Sequence, residues 1–138
     1  MQYAGFWKRF VAVFLDSIIL YILGALIGGV FGFLYGAILR TAEGIEGIAV
    51  ILGIVIGWLY FALSESSSKQ ATLGKQAMGI IVTDLNGQRI SFGRATGRHF
   101  GKFISVLTLY IGFIMVAFTE KKQALHDIMA GCLVVTQK

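Results

Sequence analysis

From Phe10 the chain runs for thirty residues, FVAVFLDSIILYILGALIGGVFGFLYGAIL, with one charge among them, Asp16. A helix needs about 20 predominantly apolar residues to cross the hydrocarbon core of a bilayer. The run therefore fixes the class of protein: this chain is integral to a membrane. Hydrophobic residues make up 57% of the 138 and charged residues 14%, against about 25% charged in an ordinary soluble domain. A fold of this size in water could not hide that much apolar surface. The run is also far longer than the roughly 7 to 15 apolar residues of a secretory leader, so the first helix is expected to stay in the mature protein.

The spacing predicts a single membrane domain over residues 1–138, with apolar spans near 10–39, 45–63 and 92–119. Lys and Arg accumulate on the cytoplasmic side of short loops. Lys8 and Arg9 at one end, and Lys69, Lys75, Arg89, Arg94 and Arg98 after the second span, put the amino terminus and the middle segment inside. Aromatic residues at Tyr3, Trp7, Trp58, Tyr60 and Phe61 fit an interfacial belt. Residues 79–91 contain GIIVTD followed by Asn86 and Gly87, a strong short-range hairpin signal. Residues 131–136, GCLVVT, read as a third strand that would steady such a hairpin. That sheet needs the carboxyl end inside as well. The third apolar stretch is then a helical hairpin broken around Tyr110 to Gly112 that returns to its own side, the alternative being one plain crossing with the tail outside. The expected fold is an α-helical integral membrane protein. It has two full transmembrane helices, a third apolar helix or helical hairpin, and a small cytoplasmic β-hairpin or three-stranded sheet.

Asp16 lies about two turns into its span, where an unpaired carboxylate at mid-depth costs at least about 2.5 kcal/mol. It therefore faces protein, water or a cation, unless it lies at the interface and snorkels to water. Arg9 is seven residues away, about 10.5 Å of helical rise, too far for a close pair within one straight helix. Gly24, Gly28, Gly32 and Gly36 recur every four residues, and Gly53 and Gly57 repeat the interval. Such faces let helices approach closely in lipid, either between the first two spans or between copies of the chain in a homo-oligomer. Arg94, Arg98 and Lys102 share a helical face, with anionic lipid headgroups as the expected partner and no nucleic acid. Glu65 ends the second span, and His126 carries a ring that titrates near neutral pH. Cys132, His99 and His126 show no zinc-type spacing, so no metal or other cofactor is expected. No nucleophile and base stand at motif spacing, so an enzyme is not expected.

The segments AGFWKRFVAVFLDSIIL (4–20), YFALSESS (60–67), ATLGKQAMGIIVTDLNGQRISFGRATGRH (71–99) and KKQALHDIMAG (121–131) together resemble the RDD family of small bacterial membrane proteins. The resemblance covers nearly the whole chain. The arginine and two aspartates that name the family fall on Arg9, Asp16 and Asp127, and the resemblance places the protein in the bacterial inner membrane. Members often carry a proline after the ESS element, and this chain has none. The resemblance implies transport, including exchange of sodium-like cations for protons. On that reading Asp16 is the proton carrier, since a carboxylate withdrawn from water holds a proton more tightly. Arg9 and Asp127 form a cytoplasmic latch, and swapping both charges should recover much of what either reversal loses. The alternative is a non-transporting scaffold or accessory protein whose charged residues lock the fold while its cytoplasmic face recruits a partner.

Overall fold

A computed structural model describes residues 1–108 and 110–137. Two long helices dominate it: α1 (Phe6–Leu39) and α2 (Ile45–Ser66), both long and apolar enough to cross a membrane. With no proline and a continuous apolar sequence, nothing interrupts α1, which at 34 residues spans about 51 Å. Arg40 ends it in the left-handed region and Gly44, also left-handed, starts α2, so the connection is short.

A short helix α3 (Leu73–Ala77) follows, capped by the Thr72 hydroxyl, which accepts from the Lys75 N–H. Next come strand β1 (Ile80–Asp84) and helix α4 (Phe92–Leu107), the latter capped by Ser91. Helix α5 (Ile111–Ile114) and a 3-10 turn at Met115–Ala117 then bend back by 116° from the axis of α4. Gly112 permits the bend: a Cβ there would lie 2.7 to 2.9 Å from Ser105 atoms. The expected break at Tyr110 to Gly112 thus falls at the start of this return, with Tyr110 itself left-handed, while Leu109 lies outside the described residues. Helix α6 (Leu125–Ala130) and strand β2 (Cys132–Thr136) complete the chain.

The sheet differs from the expected hairpin. Strand β1 pairs antiparallel with β2, Val82 opposite Val134, and not with residues 88–91. Asn86 and Gly87 do form a tight turn, closed by Asp84, whose side chain accepts from the N–H groups of Asn86 and Gln88. The chain then leaves the sheet because Ser91 starts α4, and Ile90 turns into the core. A third position is filled by the amino-terminal segment instead, through a bridge from Tyr3 to Val135 and bonds from Ala4 N–H to Val134 and from Thr136 N–H to the Gln2 carbonyl. Burial concentrates at this end of the molecule, where Ile80, Val82, Ile90, Ala95, Cys132 and Val134 meet Ala4, Ala12 and Ala62. The distal halves of α1 and α2 bury almost nothing.

Candidate functional site: a buried charge network beside a basic cavity

Helix α1 carries Arg9 and Asp16 on nearly one face, and the rest of the fold gathers around each of them separately. Asp16 is fully buried. Its Oδ1 accepts from the Tyr60 hydroxyl and the Gly74 N–H, both at 2.8 Å, and its Oδ2 accepts from the Thr72 hydroxyl at 2.6 Å. All three donors are neutral. Helix α3 is held tightly against α1 by these bonds: a Cβ on Gly74 would lie 2.2 Å from the Ala12 carbonyl oxygen and 2.8 Å from the Asp16 carboxylate. Glycine at 74 is required by that approach. Asp16 therefore faces protein, and no cation pairs with it among the described residues.

Two turns toward the amino end, Arg9 donates to Asp127, to the Lys122 carbonyl at 2.6 Å and to the Ala4 carbonyl at 3.2 Å. Asp127 also accepts from the Ala124 N–H at the start of α6 and from Arg98 at 2.7 to 2.8 Å. Arg98 continues to Glu65, donating to its two oxygens at 2.7 and 2.8 Å, and Glu65 takes Lys75 as its second cation. Helices α1, α2, α3, α4 and α6 thus meet in one network of three cations and two carboxylates. A simple latch between Arg9 and Asp127 is too small a description, because Asp127 is shared with Arg98.

The electrostatics follow from crowding. Burial alone would raise the Asp127 carboxyl, but Arg98 and Arg9 outweigh it and hold the group well below the usual carboxylate range. Burial pushes the His126 imidazole the other way, down to about 2 against the pull of Asp127, so the ring is neutral. It lies 3.5 Å from the Ser105 hydroxyl through Nδ1 and 3.4 Å from Asp127 through Nε2. Burial also lifts the Cys132 thiol to about 11, an inert group. Among the described residues, no three His, Cys, Asp or Glu side chains come together as metal ligands would.

Beside the network lies a cavity of about 520 Å³ between α1, α4 and α5. Arg9, Lys75, Arg98, Lys102 and His126 line one part and mainly apolar side chains, with Ser17 and Tyr110, the rest, with no carboxylate on its wall among the described residues. Asp16 is not on that wall.

The structure redistributes the expected basic face of residues 92–107. Arg94 is exposed, whereas Arg98 is buried and Lys102 turns into the cavity. Arg98 and Lys102 are directed inward, where Glu65 and Asp127 stand. Trp58 and Tyr60, read from the sequence as interfacial aromatics, donate to Thr96 and Asp16. Along the glycine faces, a Cβ at Gly24, Gly28, Gly36, Gly53 or Gly57 would meet nothing within 4 Å, and one at Gly32 only Ile45 at 3.8 Å. These faces do not join α1 to α2 within the chain. Sequence reasoning missed Tyr60, Thr72, Gly74 and Lys75 as site residues. Their signal was their place in the YFALSESS and ATLGKQAMG segments, where Lys75 counted only as a loop charge.

The fold and site define a small membrane protein of two long apolar helices, closed at one end by a sheet and a buried network of ion pairs. That arrangement is built around Arg9, Asp16 and Asp127. The chain belongs to the RDD family, whose model matches residues 3–131. It is 39% identical to the uncharacterized protein YxaI of Bacillus subtilis strain 168, over 96% of each chain. It is 32% identical to the uncharacterized membrane protein YteJ of the same organism, over 99% of this chain and 82% of that protein. No solved structure matches it.

Proposed function

We propose that this chain is a non-transporting, non-enzymatic membrane scaffold of the bacterial inner membrane, in which the buried charges lock the fold and the sheet-bearing end recruits a partner. The amino terminus, the sheet and the basic loops face the cytoplasm on this reading, and α4 with α5 forms a re-entrant hairpin. Copies associate through the open glycine faces of α1 and α2. The observation that carries the reading is that Asp16, Glu65 and Asp127 are each occupied by donors from other segments of the chain. A carboxylate that must release a proton and take a cation needs a coordination position left open, and Asp16 has neutral donors on both oxygens.

Exchange of a sodium-like cation for a proton through Asp16 is the competing function. The basic cavity weighs against it, since four cationic side chains on a wall with no carboxylate among the described residues repel a cation. Proton movement driven by a sodium gradient in proteoliposomes separates the two. The scaffold reading expects none from the native chain. Flux in the native chain that disappears in an Asp16→Asn variant of equal oligomeric state would overturn it.

A further inference from the structure

The basic cavity has a chemistry that the lock does not use. Of the cations on its wall, Arg98 spends its donors on Glu65 and Asp127. Lys75 makes one bond, to Glu65, out of the three an ammonium can donate. Arg9 makes three of five. Lys102 makes none among the described residues, and its ammonium instead sits 3.8 Å above the Phe61 ring. Four cations therefore share two carboxylates, and the surplus donors face open volume. Lys102 is half-buried with no carboxylate partner among the described residues, and a cation partly withdrawn from water gains when an anion occupies the space beside it.

The remaining wall says what kind of anion. Phe6, Phe10, Val13, Ser17 and Leu20 line the cavity from one face of α1, a strip that rises about 21 Å from Phe6 to Leu20. Half a hydrocarbon core is about 15 Å deep. Across from this strip stand Tyr110 and Ile114 of the α4–α5 return, and Phe10, Val13, Tyr110 and Ile114 are all at least 46% exposed toward the side of the molecule. The opening thus leads into the lipid-facing surface of a span. A volume of about 520 Å³ also exceeds what a small inorganic anion fills, and it falls within the range of sites for larger organic ligands.

We propose that this cavity is a binding site for an anionic phospholipid drawn from the surrounding leaflet, its phosphate held by Lys102, Lys75 and Arg9 and one acyl chain lying along the Phe10 to Leu20 strip of α1. Charge-assisted bonds to phosphate are roughly twice as strong as neutral ones, and the site discriminates by headgroup charge because no carboxylate among the described residues of its wall can receive a zwitterion's cation. Lys102 is the residue to test, since it takes no part in the ion pairs that hold the fold.

The test uses the full chain in mild detergent, titrated with short-chain phosphatidylglycerol, short-chain phosphatidylcholine or inorganic phosphate, with bound lipid counted by native mass spectrometry and stability read by thermal unfolding. The expected result is one phosphatidylglycerol bound per chain, with an upward melting shift that phosphatidylcholine and phosphate do not produce. Lys102→Gln should unfold no more readily than the native chain without lipid and lose phosphatidylglycerol affinity at least tenfold. Val13→Trp, which fills the strip at an exposed position, should lose it too. Equal binding of phosphatidylcholine, or undiminished phosphatidylglycerol binding by Lys102→Gln, would overturn the proposal. A melting shift from phosphate alone equal to that from lipid would replace it with a free-anion site.

Discussion

Replacing Asp16 tests the lock directly, because two substitutions at that one position differ in what they leave behind. Asparagine keeps a carbonyl oxygen that can accept from Tyr60 and Gly74 as Oδ1 does now. Its amide nitrogen then faces the Thr72 hydroxyl, which can rotate to accept. The loss is the extra strength of bonds to an ionised acceptor, about 1 to 2 kcal/mol in total. Alanine leaves the Thr72 hydroxyl and the Gly74 N–H, both buried, without an acceptor, and each unsatisfied donor costs about 1 to 3 kcal/mol. The expected order is therefore native, then Asp16→Asn, then Asp16→Ala, the last lower by about 2 to 6 kcal/mol. Thermal unfolding in detergent, with circular dichroism to confirm helical content, measures the order. An alanine variant as stable as the asparagine variant would refute the argument, since it would mean that hydrogen-bond acceptance at position 16 does not hold α3 to α1.

Further outcomes follow from the same geometry. Gly74→Ala should destabilise by about 1 to 3 kcal/mol through overpacking against Ala12, whereas Gly28→Ala, which meets nothing within 4 Å among the described residues, should not destabilise the chain and should shift the oligomer distribution in size-exclusion chromatography with light scattering. Asp127→Asn should cost about 3 to 5 kcal/mol in thermal unfolding, because it leaves two arginines short of a buried partner. Combining Arg9→Asp with Asp127→Arg should not restore stability, since the new guanidinium would stand beside Arg98; recovery would show that Arg9 and Asp127 act as an isolated pair. Below about pH 6.5 an unfolded His126 takes up a proton that the folded ring refuses, so stability should fall on acidification by up to about 1.4 kcal/mol per pH unit. The Asp127 contribution, from a lowered group, is fully present above its unfolded value near 4 and fades only below it. A His126→Gln variant should accordingly show a shallower slope between pH 6.5 and 4.5 when unfolding is followed against pH.

What the sequence revealed and what it concealed divide along physical lines. The two long helices were legible because a thirty-residue apolar run admits little else, and the limits of α1 and α2 fall within four residues of the expected spans. Residues 80–84 and 132–136 were legible as strands through their β-branched runs. Their partners were not: Asn86 and Gly87 make a turn whichever strand follows, and local turn chemistry carries no information about whether Gln88 continues a ladder or leaves it. Arg98 and Lys102 looked like a solvated stripe because periodicity gives the shared face of a helix and not the direction in which that face points. Only the positions of Glu65 and Asp127, 33 and 29 residues distant from Arg98, decide that. Asp16 could be marked as costly from its surroundings, but its three donors come from α2 and from the Thr72 cap and first turn of a five-residue helix that has no apolar period of its own.

The uneven distribution of burial explains why so much charge is gathered at one end. In lipid, an apolar side chain gains little by touching another in place of an acyl chain, so the distal halves of α1 and α2 have no hydrophobic reason to adopt a unique arrangement. Only Ala12 and Asp16 on α1, and Ala62 and Glu65 on α2, are buried, and all four lie at the sheet-bearing end. Specificity there must come from groups whose alternatives are expensive. A carboxylate left in hydrocarbon costs several kcal/mol, so Asp16, Glu65 and Asp127 each admit very few arrangements of their neighbours, and those few coincide. The glycine-rich halves beyond are tied only near their connection, where the Tyr35 hydroxyl donates to the Glu43 carbonyl and Gly32 approaches Ile45, which leaves most of those faces free to take their packing from a second copy. The surplus of cations over carboxylates at the locked end has the complementary consequence: the two carboxylates hold the five-group network together, and the donors left over on Lys75, Arg9 and Lys102 are what the proposed lipid site would use.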